Sequence, residues 1–171
     1  MLPRVLRPIT ASVLCAATLT AAAGCGGGSS SSSPAQFSAK ALNVCTSVAP
    51  RIKATTASVN GLDAAPGSPL NKLPQLASLL NALAKELSDL HSGLSSLTPP
   101  AEQKASFNVF LADLQRLEGL TTTGAQDLKG GTITGLQKFQ ASSAQLSAAS
   151  NSLSADGKQV PGLAACKNVG K

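Results

Sequence analysis

The feature that most constrains the fold of this chain is an unbroken series of leucines between residues 73 and 97. Their spacing alternates between three and four residues throughout: Leu73, Leu76, Leu80, Leu83, Leu87, Leu90, Leu94 and Leu97. Such spacing puts every leucine on one stripe of a long α-helix, as in a heptad seam. We expect a helix within residues 70–98, with Asn71 as its N-cap because Pro69 and Pro74 lie near the start.

Three further helices are predicted around this one. The first is irregular and carries Pro50, where we expect a kink or a break, and Asn60-Gly61 ends it before a loop over residues 60–70. The third follows Thr98-Pro99-Pro100, with Thr98 as N-cap and Pro99 at the first helical position. Its seam positions are Phe107, Phe110, Leu114, Leu117, Thr121, Gly124 and Leu128.

The fourth helix is predicted between two glycine signals. Gly130-Gly131 ends the third helix, and Thr132 caps the fourth, which closes near Gly157 and Pro161. Its seam positions are Leu136, Phe139, Ser143, Leu146, Ser150 and Leu153. With only 4 Phe and no Tyr or Trp, long strands are disfavoured. The predicted fold is therefore an all-α, up-down-up-down four-helix bundle that follows a signal peptide and a disordered Gly/Ser tether.

The first 24 residues are typical of a secretion signal. Arg4 and Arg7 precede an uncharged, mostly apolar stretch over residues 9–23, which is short for a membrane span. Ala22-Ala23-Gly24-Cys25 resembles the bacterial lipobox, which would make Cys25 the lipidated N-terminus. An ordinary signal peptide or a plain membrane helix are the alternatives. The expected organisation is a signal over 1–24, a lipidated tether over 25–35 and a helical domain over 36–171.

The four cysteines divide along the same boundaries. Cys15 lies in the signal and Cys25 is the lipidation site, so that Cys45 and Cys166 remain in the helical domain. An even pair in an exported chain predicts a disulfide, here closing a loop of about 120 residues, which the chain-entropy account values at about 5 kcal/mol as an upper figure. Two free thiols or metal ligands are the alternatives, although no CxxC motif is present.

Catalytic chemistry finds little support in the sequence. His91 is the only histidine, and Glu86 and Asp89 on the same helix do not form a Glu-x-x-His metal motif with it. We interpret His91 as a surface residue and predict no enzyme activity, no cofactor and no metal site. The basic residues are scattered, and the formal net charge falls from +6 to +4 when two arginines leave with the signal. Nucleic acid is therefore not an expected partner.

Small or polar residues at four seam positions leave one question open. Thr121, Gly124, Ser143 and Ser150 either pack against larger residues or line a ligand cavity. Folding the last two helices antiparallel about Gly130-Gly131 puts Thr121 near Phe139, and Gly124 near Leu136. Packing is the preferred interpretation.

The layout as a whole resembles small actinobacterial lipoproteins of uncharacterised function. The resemblance rests on the lipobox Cys25, the tether, the early Cys45, the Leu97–Glu102 segment and the late Cys166 after Pro161-Gly162. It implies a non-enzymatic lipoprotein, acylated at Cys25 with fatty chains such as palmitate, on the outer face of the cytoplasmic membrane. Its expected partner is an envelope protein or component. The alternative is a carrier or sensor of a small apolar ligand inside the bundle.

Overall fold

Four long helices form the part of the chain that the computed structural model describes, residues 33–163 without the side chain of Asp63. Helix α1 spans Pro34–Ala64, α2 spans Pro69–Ser95, α3 spans Lys104–Leu128 and α4 spans Ile133–Gln159. A 3₁₀ turn over Ala101–Gln103 precedes α3. Consecutive helices pack against each other in alternating directions. The predicted all-α four-helix fold is confirmed. The predicted signal and Cys25 lie outside the described residues, and so does Cys166.

Helix α1 is longer and more continuous than predicted. It begins at Pro34, where the Ser33 hydroxyl accepts a hydrogen bond from the backbone N–H of Gln36 at 3.3 Å. The expected break at Pro50 is wrong, because the helix passes through Pro50 without interruption. Val48 and Ile52 on either side of it are buried, so packing compensates for the backbone hydrogen bond that proline cannot make.

The first loop is correspondingly shorter than predicted. Helix α1 passes through Asn60-Gly61, and the Gly61 carbonyl accepts a hydrogen bond from the Ala65 backbone N–H at 3.1 Å. The Lys72 ammonium donates to the Ala65 carbonyl, which ties the start of α2 to the end of α1. The connection is thus residues 65–68 rather than 60–70.

Prolines also decide where α2 and α3 begin. Helix α2 starts at Pro69, with Ser68 at the N-cap position, so the predicted N-cap at Asn71 is wrong. Proline fits the first helical position because its missing N–H would have no partner there. Thr98 is not the N-cap of α3 either. The helical backbone conformation is disfavoured for any residue that precedes a proline. Pro99 precedes Pro100 and therefore cannot begin the helix.

The interior consists of two clusters of buried side chains. The proximal core lies at the end where α1 begins, and the distal core lies at the opposite end. The proximal core contains Phe37, Ala41, Cys45, Val48, Ile52, Leu87, Leu90, Leu94, Phe107, Phe110, Leu114, Val160 and Leu163. The distal core contains Leu73, Ala77, Leu80, Ala125 and Leu128, with Leu70, Leu76, Leu136 and Phe139 packed against it. Helix α1 contributes to the proximal core and to none of these distal positions.

The leucine stripe faces this interior, as the spacing predicted. Five of its members are buried, namely Leu73, Leu80, Leu87, Leu90 and Leu94, and the other three are partly buried. Ala77 and Ala84 are buried as well. Because α2 packs against both α1 and α3, its buried face is wider than the seam between two helices. The small alanine side chains on this face allow a neighbouring helix to come close.

The seams of α3 and α4 differ in how well the spacing predicted them. Six of the seven predicted positions on α3 are buried, and Leu117 is partly buried. On α4 the predicted Ser150 is exposed, and Ala149 is buried instead.

Candidate functional site

An apolar groove of about 420 Å³ opens on the surface at the proximal end of the bundle. Three separate parts of the chain line it: the first turns of α1, the 3₁₀ turn before α3, and the segment after α4. The lining residues are Pro34, Ala35, Ser38, Ala39, Leu42, Gln103 and Pro161. Almost all of its accessible surface is apolar, so it suits an apolar group better than a polar substrate.

The sequence of α1 builds the long side of this groove. Phe37 and Ala41 face inward and are fully buried. The groove residues of α1 recur at spacings of one and three, which places them on one outward stripe of the helix. Most are small, and Leu42, 43% exposed, is the large apolar side chain among them. The stripe is thus shallow and uncharged.

The opposite wall depends on one close approach by the C-terminal segment. A β-carbon at Gly162 would lie 2.8 Å from two ring carbons of Phe37, so glycine is required for the segment to cross α1 here. The Phe37 ring itself meets Phe107 edge-on, with ring centroids 5.2 Å apart and planes at 88°. Val160 and Leu163, on either side of this crossing, are buried. These contacts hold Pro161 at the edge of the groove.

Few polar groups lie at the groove, and more of the charged residues near it in the sequence are basic than acidic. The side-chain oxygen of Gln103 is buried and has no hydrogen-bond partner among the described residues. The charged residues within three positions of a lining residue are exposed: Lys40, Lys104 and Lys158 with Glu102. The groove is therefore apolar at its centre, with Lys104 and Lys158 adjoining its lining residues in the sequence and Lys40 on the opposite flank of α1.

The structure separates His91 from its neighbours in the sequence. His91 is partly exposed on α2. Asp89 pairs with Arg51 of α1 at 2.9 Å, and Glu86 accepts a hydrogen bond from the Thr55 hydroxyl at 2.9 Å. These acids thus link α2 to α1. No three potential metal-ligating side chains cluster anywhere in residues 33–163.

The sequence analysis did not identify one pair of neighbouring acidic residues. Asp113 of α3 and Asp156 of α4 share a side-chain hydrogen bond. Partial burial raises the pKa of Asp113, the hydrogen bond and negative charge of Asp156 raise it further, and Arg116 opposes the rise. A protonated Asp113 donates to the Asp156 carboxylate. Antiparallel pairing of the two helices, counted in the register in which they actually meet, would have brought these residues together.

Among the small seam residues, Gly124 is packed against a neighbouring helix, and two hydroxyls bond within their own helices. A β-carbon at Gly124 would lie 3.0 Å from two ring carbons of Phe139, so the Phe139 ring occupies the space beside this glycine. The Thr121 hydroxyl donates to the Leu117 carbonyl at 2.8 Å, and the Ser143 hydroxyl donates to the Gln140 carbonyl at 2.7 Å. The packing interpretation is confirmed at Gly124. The predicted neighbour of Gly124 is wrong, however, because the α4 side chain closest to it is Phe139 and not Leu136.

Cys45 lies in the proximal core and is 1% exposed, in the same cluster as Val160 and Leu163. Cys25 and Cys166 fall outside the described residues, as noted above. Within residues 33–163, no helix combines the length and hydropathy needed to cross a bilayer. No protein-family model, curated protein or solved structure matches this chain.

Proposed function

We propose that this chain is a non-enzymatic cell-envelope lipoprotein whose interaction surface is the proximal groove. In this proposal residues 1–24 are a signal that is removed, and Cys25 is acylated. The helical domain is then held on the outer face of the cytoplasmic membrane. The observation that carries the proposal is the position of the groove, which begins at Pro34, the first residue of α1.

The distance along the chain supports this assignment. Only residues 26–33, three glycines followed by five serines, separate Cys25 from Pro34. A chain of this length reaches at most about 30 Å when fully extended. An acylated Cys25 would therefore keep the groove close to the membrane, among the lipids and proteins that it would meet there.

A disulfide between Cys45 and Cys166 belongs to the same proposal. Cys45 and Leu163 are buried in the same core, and Cys166 follows Leu163 by three residues. Three residues span about 10 Å, which is enough to bring the second sulfur back to the first. The bond would fix the segment that carries Pro161 against α1, and so would fix one wall of the groove.

The apolar-carrier hypothesis is better placed at this groove than in the interior. At Gly124, one of the four small seam positions, the Phe139 ring fills the space between the helices. The groove, by contrast, is an open apolar depression of about 420 Å³, which can cover one side of a small apolar ligand. A small apolar ligand bound there is the second candidate function.

Replacement of Cys25 tests the anchor. Cys25→Ala in the full-length chain should release the protein from membranes or leave the signal uncut, and the acylated N-terminal peptide should disappear from the mass spectrum. Cys15→Ala is the matched control, because it removes a cysteine from within the signal and should change neither property. If Cys25→Ala were still cut before residue 25 and stayed on the membrane after a high-salt wash, acylation at Cys25 would be wrong.

A further inference from the structure

We infer that the proximal groove seats directly on the bilayer and takes up a fatty acyl chain of an anionic phospholipid. The domain would then lie against the membrane instead of standing off from it. This inference rests on the acylation of Cys25 proposed above, and it names the lipid surface as the partner of the groove. Three observations support it.

The first observation is the length of chain in front of the groove. Helix α2 has 27 residues and is therefore about 40 Å long, whereas the segment between Cys25 and Pro34 reaches at most about 30 Å. The link is shorter than the domain. An acylated Cys25 consequently keeps the proximal end near the bilayer, while the loop over residues 65–68 lies at the far end.

The second observation is the chemistry of the groove. Its α1 side carries no charged side chain, and Leu42 exposes 43% of its surface. Pro34 and Pro161 are exposed beside it. Apolar helix surface that is buried at the headgroup boundary contributes to membrane binding in proportion to its area.

The third observation is the sign of the charges around the groove. Two exposed lysines, Lys104 and Lys158, lie within three residues of the lining residues Gln103 and Pro161, against the single acid Glu102, whereas Lys40 lies on the opposite flank of α1. Lysines next to a membrane are attracted to anionic headgroups. The apolar centre thus matches an acyl chain, and Lys104 and Lys158 are the groups that would meet the headgroup of the same lipid.

A tryptophan probe tests this arrangement, because the chain contains no tryptophan of its own. Leu42→Trp places the probe in the groove. Ile133→Trp places the control at the distal end, on a residue that is 61% exposed. Each full-length acylated variant is reconstituted into vesicles of phosphatidylcholine and phosphatidylglycerol whose acyl chains carry bromine, which quenches tryptophan on contact.

The probe in the groove should lose about half of its emission, as expected for a ring held about 5–10 Å inside the headgroup boundary, while the control keeps its emission. Adding Ala39→Asp to Leu42→Trp should abolish the quenching, since a carboxylate in the groove excludes an acyl chain. Far-UV circular dichroism confirms that each variant is folded. Quenching should also weaken in vesicles of phosphatidylcholine alone, and unchanged quenching there would overturn the role of the lysines.

The experiment distinguishes a failure of the lipid anchor from a failure of the groove to dock on the bilayer. If the full-length protein does not float with the vesicles, the acylation of Cys25 is wrong and this inference fails with it. If the protein floats but the groove probe is quenched no more than the control, only the docking is wrong. That second result is expected if a protein partner, rather than lipid, occupies the groove.

Discussion

Gly135 in the first turn of α4 lies directly against the backbone of Asp127 in the last turn of α3. A β-carbon at Gly135 would overlap the Asp127 carbonyl oxygen and would also lie 3.2 Å from the Thr132 hydroxyl oxygen. That hydroxyl accepts a hydrogen bond from the Gly135 backbone N–H at 3.1 Å. The hairpin between α3 and α4 therefore closes on a residue without a side chain.

This contact predicts that Gly135→Ala destabilises the domain. The added methyl group meets backbone that cannot move aside as a side chain would, so we expect a loss of at least about 1–3 kcal/mol, the usual range for overpacking. Urea unfolding followed by far-UV circular dichroism measures it.

The matched control is Gly119→Ala, in the middle of α3. A β-carbon there would meet nothing within 4 Å, so the substitution should stabilise the helix by about 0.5–1 kcal/mol. Equal effects of the two substitutions would show that the hairpin is not closed as described.

A second prediction compares the leucine stripe with the only histidine. Leu87 is 5% exposed in the proximal core, and Leu87→Ala should cost about 2–5 kcal/mol. His91→Ala, one turn later and partly exposed, should cost no more than about 0.5 kcal/mol. Thermal unfolding measures both. The reverse order would mean that His91 is a structural or functional centre and that the leucine stripe is not the core.

The Asp113–Asp156 pair predicts a dependence of stability on pH. The pKa of Asp113 is raised in the folded protein, so the folded state binds more protons than the unfolded state above the ordinary aspartate pKa of about 3.9. The contribution of Asp113 is therefore fully present below that pH and is lost as the pH rises through the raised pKa. Asp113→Asn should be more stable than the wild type at pH 7, and this advantage should vanish near pH 3.

The control for this prediction is Glu102→Gln, an exposed acid on the 3₁₀ turn. It should leave the pH profile of the melting temperature unchanged. Asp156→Asn should have a smaller effect of the same sign, since it removes the hydrogen bond and charge of the partner but leaves Asp113 partly buried. A wild-type melting temperature that rises steadily from pH 4 to pH 7 in step with both variants would contradict the assignment.

The proposed Cys45–Cys166 bond predicts one cross-linked pair of peptides. Proteolysis of exported protein without reductant should yield the peptides of Cys45 and Cys166 joined, and reductant should separate them. Reduction should also lower the unfolding free energy, by up to about 5 kcal/mol in the chain-entropy account. Two free thiols in oxidised, folded protein would refute the bond.

Helix content and the buried faces were largely predictable, because side-chain periodicity is a local property of the chain. The leucine stripe of α2 and the capping role of Thr132 are examples. Errors arose where tertiary packing outweighs a local signal. Pro50 marks a break in any isolated helix, yet the buried residues around it hold α1 together.

The groove was not predictable from the sequence, since it needs three segments that are far apart in the chain. Nothing local to Gln103 or Pro161 shows that they lie beside the first turn of α1. The acid pair was missed for a related reason. The observed contacts do not keep one register: Gly124 meets Phe139 near the turn, but Gly157 meets Phe110 at the proximal end, four residues beyond the position that the first contact gives. An antiparallel register is sensitive to such a shift.

The unequal contribution of α1 to the two cores has a mechanical consequence. A force applied through the residues before Ser33 enters the domain at Pro34, one turn from the Phe37 ring that Phe107 and Gly162 enclose. The force therefore acts on the better-packed half of α1 and along the helix axis. Many side-chain contacts must then slide together before any one contact breaks. A force applied at Ala64 would instead lift the helix from its weakly packed end, one turn at a time. The domain therefore resists tension applied at Pro34 better than tension applied at Ala64.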